Sequence, residues 1–217
     1  MRKSLTGSIL LAGILAATLG MSLSAQAETL RVKITNLTQS QIFSPPIVIA
    51  HPGKFSVFKF GEPASDALAT LAETGNPGDL ATEVTGLGAD VAVHAGMIMP
   101  GDVGIVDIVT TGPNRRISVL AMLVSTNDAF FAIDGVKPVG RFSKFVATAY
   151  DSGSEADNED CDFVPGPPCG GMLRDTATAE GFVHVHSGIH GIADLDAASL
   201  DWDNPVALVQ IIRRDEQ

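Results

Sequence analysis

Leu30-Arg31-Val32-Lys33-Ile34-Thr35-Asn36 alternates apolar and polar side chains. Successive side chains of an extended strand point to opposite faces, so a period of two predicts a half-buried strand here. Downstream, Ile47-Val48-Ile49-Ala50-His51 follows Pro45-Pro46, and Phe55-Ser56-Val57-Phe58-Lys59-Phe60 follows in turn. Segments 103–111, 116–124, 129–133, 145–150, 180–186 and 206–213 are all short and apolar or alternating, and Gly, Pro, Asn and Asp fill the gaps. Only two helical signals interrupt them. Residues 65–73 (Ser-Asp-Ala-Leu-Ala-Thr-Leu-Ala-Glu) read as one short helix capped by Ser65 and ended by Gly75, and 79–87 as a second short helical turn. Many short strands with few helices predict an all-β domain, a sandwich or barrel with mainly antiparallel pairing. No internal repeat or linker divides the chain, so 28–217 reads as one domain.

The amino terminus predicts export. Met1-Arg2-Lys3 is a short basic start, an apolar run follows from Ile9 to Leu19, and Ala25-Gln26-Ala27 gives a small-x-small exit before Glu28. These three parts define a secretory signal over 1–27 with cleavage between Ala27 and Glu28. The apolar run is well short of the roughly 20 residues a membrane-spanning helix needs, and no later stretch reaches that length. The mature protein is expected in the periplasm or outside the cell.

Removing 1–27 takes Arg2 and Lys3 from the fourteen basic residues and none of the twenty-five acidic ones, leaving a formal charge of −13. Such a chain repels phosphate backbones, which argues against nucleic acid as a partner. The same acidity supplies carboxylates for hard cations. The two cysteines, Cys161 and Cys169, lie close together in a Pro/Gly-rich segment. Their spacing fits neither Cys-x-x-Cys nor a zinc pattern, and in an oxidising compartment such a pair forms a loop-stapling disulfide.

Two acidic segments stand out. In Met122-Leu123-Val124-Ser125-Thr126-Asn127-Asp128-Ala129-Phe130-Phe131-Ala132-Ile133-Asp134-Gly135, and again in Ala149-Tyr150-Asp151-Ser152-Gly153-Ser154-Glu155, an apolar strand ends in a turn carrying a carboxylate. The second acidic run continues through Asp157, Glu159, Asp160 and Asp162. Calcium takes six to eight oxygen ligands at flexible geometry, and loops at one end of a sandwich can gather such groups from distant parts of a chain. Taken alone, Asp128 also fits a turn cap, and 151–162 a solvated acidic loop.

In their order, these segments resemble the spondin N-terminal domain of F-spondin and mindin. Ser44-Pro45-Pro46 through His51, Phe58 to Phe60, Ala64-Ser65 and Leu71-Ala72-Glu73-Thr74-Gly75 are similar to that family's amino half. Asn204-Pro205-Val206-Ala207 is similar to its closing strand. The resemblance covers nearly all of the mature chain, and the two acidic loops are its most specific part. It implies an eight-stranded antiparallel β-sandwich with one or two short helices in its amino-terminal half, binding one calcium ion at the loop end. The family's calcium carboxylates fall on Asp128, Asp151 and Glu155. The family usually carries aspartate at the last position, so Glu155 is a departure, although its longer side chain can still ligate. Animal members are matrix and recognition proteins with further modules that this chain lacks, so their adhesion partners do not carry over.

A rival site lies in Gly181-Phe182-Val183-His184-Val185-His186-Ser187-Gly188-Ile189-His190-Gly191, which holds three of the five histidines. Residues two apart on a strand share a face, so His184 and His186 point the same way. With His190 after the turn they offer imidazole ligands for copper or zinc, and His51 or His94 would have to supply a fourth. The His-Val-His stretch is faintly similar to the metal strand of copper-zinc superoxide dismutases. The plain alternative is that these imidazoles only hydrogen-bond at a strand edge.

Other chemistry finds no motif. There is no Gly-x-Ser-x-Gly elbow, no phosphate-binding glycine loop and no His-Glu-x-x-His, and no catalytic residue is assigned. Trp202 and Tyr150, the candidates for sugar stacking, fit packing roles as well. The sequence therefore predicts an exported calcium-binding module of the envelope or exterior, recognising a protein, glycan or lipid surface, rather than an enzyme. A histidine-liganded copper or zinc protein, redox enzymes included, is the runner-up.

Overall fold

The computed structural model describes residues 27–214; the expected export signal lies outside them except for Ala27. Nine strands and three short helices follow in order: β1 (Glu28–Asn36), β2 (Ile47–His51), α1 (Asp66–Thr74), α2 (Gly78–Gly86), β3 (Asp90–Val93), β4 (Val103–Thr110), β5 (Arg116–Met122), β6 (Ala129–Val136), β7 (Phe142–Asp151), β8 (His184–Val185), α3 (Ala197–Leu200) and β9 (Ala207–Arg213). All pairings are antiparallel. The all-β class with short helices in the amino-terminal half is what the sequence predicts. The strands number nine rather than eight because β3 is only four residues long, its Val91-Ala92-Val93 too short to announce a strand, and β8 has only two residues.

The strands run β3-β2-β5-β6-β7-β9-β1-β4, with β8 added on β7. Strand β7 belongs to both layers: Phe142 to Ala147 pair with β9, and Thr148 to Asp151 pair with β6. At the other seam β3 and β4 come close, so the sandwich is nearly a closed barrel.

The burial pattern follows from what each layer faces. On β4 every second residue is buried, the signature of one face on the core and one in water. On β2 all five residues are buried. Val48 and Ala50 enter the main core with Leu30, Val32, Ile34 and Phe131. Ile47 and Ile49 face the other way, against Leu68, Leu71, Leu80 and Val84 of the two helices. Helix α1 keeps its expected signals: Ser65 accepts from the Leu68 amide, and Gly75 closes the helix at φ 70°. Residues 55–60 form no strand; Phe58 packs edge-on against Phe130.

Between β7 and β8 the chain runs from Ser152 to Val183 with no regular strand. Cys161 and Cys169 are joined here, Cα atoms 4.9 Å apart, the disulfide that the sequence predicts. The expected strand 180–186 shrinks to His184–Val185. Gly181, at φ 79°, instead hydrogen-bonds the Gly153 carbonyl, which takes the preceding chain out of the ladder. Among the described residues no helix is long and apolar enough to cross a membrane.

Candidate metal centre

Strands β6 and β7 are neighbours, and Ala129 pairs with Asp151. That register sets Asp128, just before β6, beside the end of β7. Asp128, Asp151 and Glu155 are 0 %, 0 % and 1 % exposed, a rare state for carboxylates.

Asp128 organises the turn after β7. Its Oδ2 accepts from Ser152 Oγ (2.7 Å), the Ser154 amide (2.8 Å), Ser154 Oγ (3.2 Å) and the Glu155 amide (3.1 Å). Asn127 holds the next stretch, donating to Asn158 Oδ1 at 3.0 Å and accepting from the Glu159 amide at 3.3 Å. Gly153 is required at the apex. Its φ is +67°, and an added Cβ would lie 2.4 Å from the Phe182 carbonyl oxygen.

Each of these three acids keeps one buried oxygen without a partner: Asp128 Oδ1, Asp151 Oδ2 and Glu155 Oε1. Buried polar atoms are nearly always satisfied, so each of these oxygens is an unmet acceptor, although Asp128 and Glu155 are not among the described side chains whose ligand atoms lie close enough together for one ion. The protonation equilibria agree. Desolvation pushes Asp128 up; desolvation, then the nearby Asp128 and Asp157 charges, push Asp151 up to about 10. Glu155 rises to about 8, chiefly from desolvation, then from Glu73 and Asp128. Burial also opposes ionisation of Asp157, but His186, then Asp151, outweigh it and hold that carboxyl below its ordinary range. The Asp151–Asp157 pair thus shares one proton when no cation is present.

Asp157 is the functional candidate that sequence reasoning passes over. Asp151, Asp157 and His186 offer ligand atoms within 4.8 Å of one another, a group able to hold a metal ion. The acidic run advertises five carboxylates from Glu155 to Asp162, and only the loop's course decides which turns inward. Glu159 has a different role: its carboxylate accepts from the His190 and Ile192 amides and pins the following turn.

The histidines divide. His184 lies opposite Asp151 in the β7–β8 ladder, with its Nδ1 3.6 Å from Asp151 Oδ1. His186 is buried, with its Nε2 3.3 Å from Asp157 Oδ1 and its ring packed 5.1 Å from that of Trp202. Both imidazoles therefore face the acidic cluster. His190 does not join them: it is exposed, and its Nε2 bonds Ser187 Oγ at 2.9 Å. The glycine turns at Gly188 and Gly191, φ 96° and 68°, carry it away. His51 and His94 are engaged elsewhere, with Ser118 and Pro52 and with Gly96 respectively. No histidine-only site forms among the described residues.

The chain matches no family model and no curated protein.

Proposed function

We propose that this protein is an exported calcium-binding β-sandwich of spondin type, a binding or recognition module of the cell envelope or exterior rather than an enzyme. The observation that carries the reading is the burial of three carboxyls, Asp128, Asp151 and Glu155, each with an oxygen lacking a partner. Hard carboxylate oxygens on a turn are calcium's preferred donors, and loop carbonyls or water can complete its six to eight ligands. The order of the acidic segments, similar to the spondin pattern, supports the same ion. A module that closes a loop around calcium presents a fixed surface for a protein, glycan or lipid partner.

A second reading, a copper or zinc site, is favoured by His186 within the Asp151–Asp157 group. Metal analysis of the purified mature protein and calorimetric titration of the metal-free form separate the two. One calcium per chain is the expected result. Stoichiometric copper or zinc with no calcium binding would replace the first reading by the second.

A further inference from the structure

Asp157 and His186 have no place in a three-carboxylate calcium site, yet they touch its edge. The tautomer of His186 decides what they do. Its Nδ1 accepts the Gly188 amide proton at 3.0 Å, so that nitrogen carries none, and the neutral ring bears its proton on Nε2. The Gly188 amide is itself held in place. The next amide, of Ile189, donates to Asp201 Oδ1 at 3.0 Å, and a Cβ on Gly188 would lie 2.3 Å from that same oxygen. A metal on Nε2 would need the lone pair there and would move the proton to Nδ1, where two N–H groups would face each other in a buried site.

His186 Nε2–H instead faces Asp157 Oδ1 at 3.3 Å, close enough to pair although the geometry in this structure falls short of a hydrogen bond. Asp157 in turn lies against Asp151, whose side chain is fully buried and whose Oδ2 has no partner. Asp157 is itself partly open, its side chain 27 % exposed, so it stands at the solvent side of the cluster.

We propose that Asp157 is a fourth carboxylate ligand of the cation held by Asp128, Asp151 and Glu155, and that His186 is its positioning residue, donating from Nε2 and never ligating. This rests on the calcium reading and deepens it. Four carboxylates and no imidazole make an all-oxygen site, which selects a hard divalent cation over zinc or copper. Ligating carboxylates are themselves held by outer-shell hydrogen bonds, and a donating imidazole can supply one.

Calorimetry with calcium chloride on the mature wild type, Asp157→Asn, His186→Gln and His186→Leu tests it. Asp157→Asn and His186→Leu should each weaken calcium about tenfold or more. His186→Gln, which keeps a donor near the Nε2 position, should recover much of the loss. Imidazole nitrogen NMR on the wild type needs no variant: His186 should show a protonated Nε2 with calcium bound, and zinc chloride should leave that signal in place. Zinc that displaces the Nε2 proton would make His186 a ligand and overturn the proposal. Undiminished calcium binding by Asp157→Asn would overturn the fourth ligand while leaving the calcium reading intact. A wild type that binds no calcium sinks both.

Discussion

Strand β6 has an aspartate near each end, and the two are partnered in different ways: Asp134 is partly exposed and Asp128 fully buried. Asp134, at its far end, sits in a closed network. Its Oδ1 accepts from Ser118 Oγ (2.6 Å) and the Val57 amide (3.3 Å), and its Oδ2 from Ser56 Oγ (2.5 Å). Ser118, at the β-bulge between Ile117 and Val119, also bonds His51 Nε2 (2.8 Å) and the Gly135 amide (2.9 Å). Every donor there meets an acceptor. Asp128, at the near end, gives one oxygen to four donors and leaves the other bare. His51, Ser118 and Asp134 are the residue types of a hydrolytic triad, but Ser118 is fully buried and its hydroxyl lies against the acid rather than toward a substrate. A satisfied polar network holds the fold together. An unsatisfied one leaves an acceptor that a cation or a proton could meet.

The comparison breaks most sharply on calcium. At a hundred times its dissociation constant, calcium should stabilise the folded chain by about 2.7 kcal/mol, because only that state gathers the carboxylates. At roughly 2–4 °C per kcal/mol for a domain of this size, the melting midpoint should rise by about 5–11 °C, and EDTA should reverse it. An unchanged midpoint at millimolar calcium would break the metal reading.

Asp134→Ala attacks the satisfied end. It removes the acceptor of three hydrogen bonds and should cost about 1.5–3 kcal/mol, a carboxylate's usual contribution through one such bond, since Asp134 is partly exposed. Melting with calcium and with EDTA should show the same loss. A loss confined to one condition would mean that the two ends of β6 are coupled.

Asp151→Asn attacks the unsatisfied end, and its sign should reverse between conditions. Without metal it removes a buried group that must hold a proton to stay folded, so the variant should be more stable than wild type by about 1–2 kcal/mol, the scale of an unmet buried polar group. With calcium it should be less stable, having lost a ligand. Destabilisation in EDTA as well would show that Asp151 belongs to a structural network like that of Asp134.

How much of this the sequence carries depends on range. The alternation at Leu30–Asn36, Ser65 before α1 and Gly75 after it are local signals, and they survive folding because nothing tertiary opposes them. The meeting of Asp128 with Asp151 is legible too: two strands joined by a short turn pair antiparallel, which brings the start of one beside the end of the other. Asp157 is not legible. Asp157, Asp160 and Asp162 are the same residue within six positions, and only the Asn127–Asn158 clamp and the packing of His186 on Trp202 turn the first of them inward. His190 misleads for the same reason in reverse, since its neighbours in sequence reach the cluster and the glycine turns carry it off.

The smallest expected effect separates the two ends by pH. In the metal-free protein Asp151 titrates near 10 and Glu155 near 8, and Asp128 is raised as well. In the unfolded chain these groups titrate at about 3.9–4.3. Their folded values are raised, so the folded state binds protons that the unfolded state has released. The stability this gives is fully present below about pH 4 and is lost as pH rises through the folded values. From pH 5 to 9 the metal-free midpoint should therefore fall. Calcium needs the ionised carboxylates, so its affinity should rise over the same interval as fewer protons compete. The gap between melting curves in calcium and in EDTA should widen steadily from pH 5 to pH 9. In Asp151→Asn, which cannot bind that proton, the fall in EDTA should be shallower. Parallel curves across the interval would mean that the carboxylates are hydrated or paired in solution, and the near end of β6 would then resemble the far one.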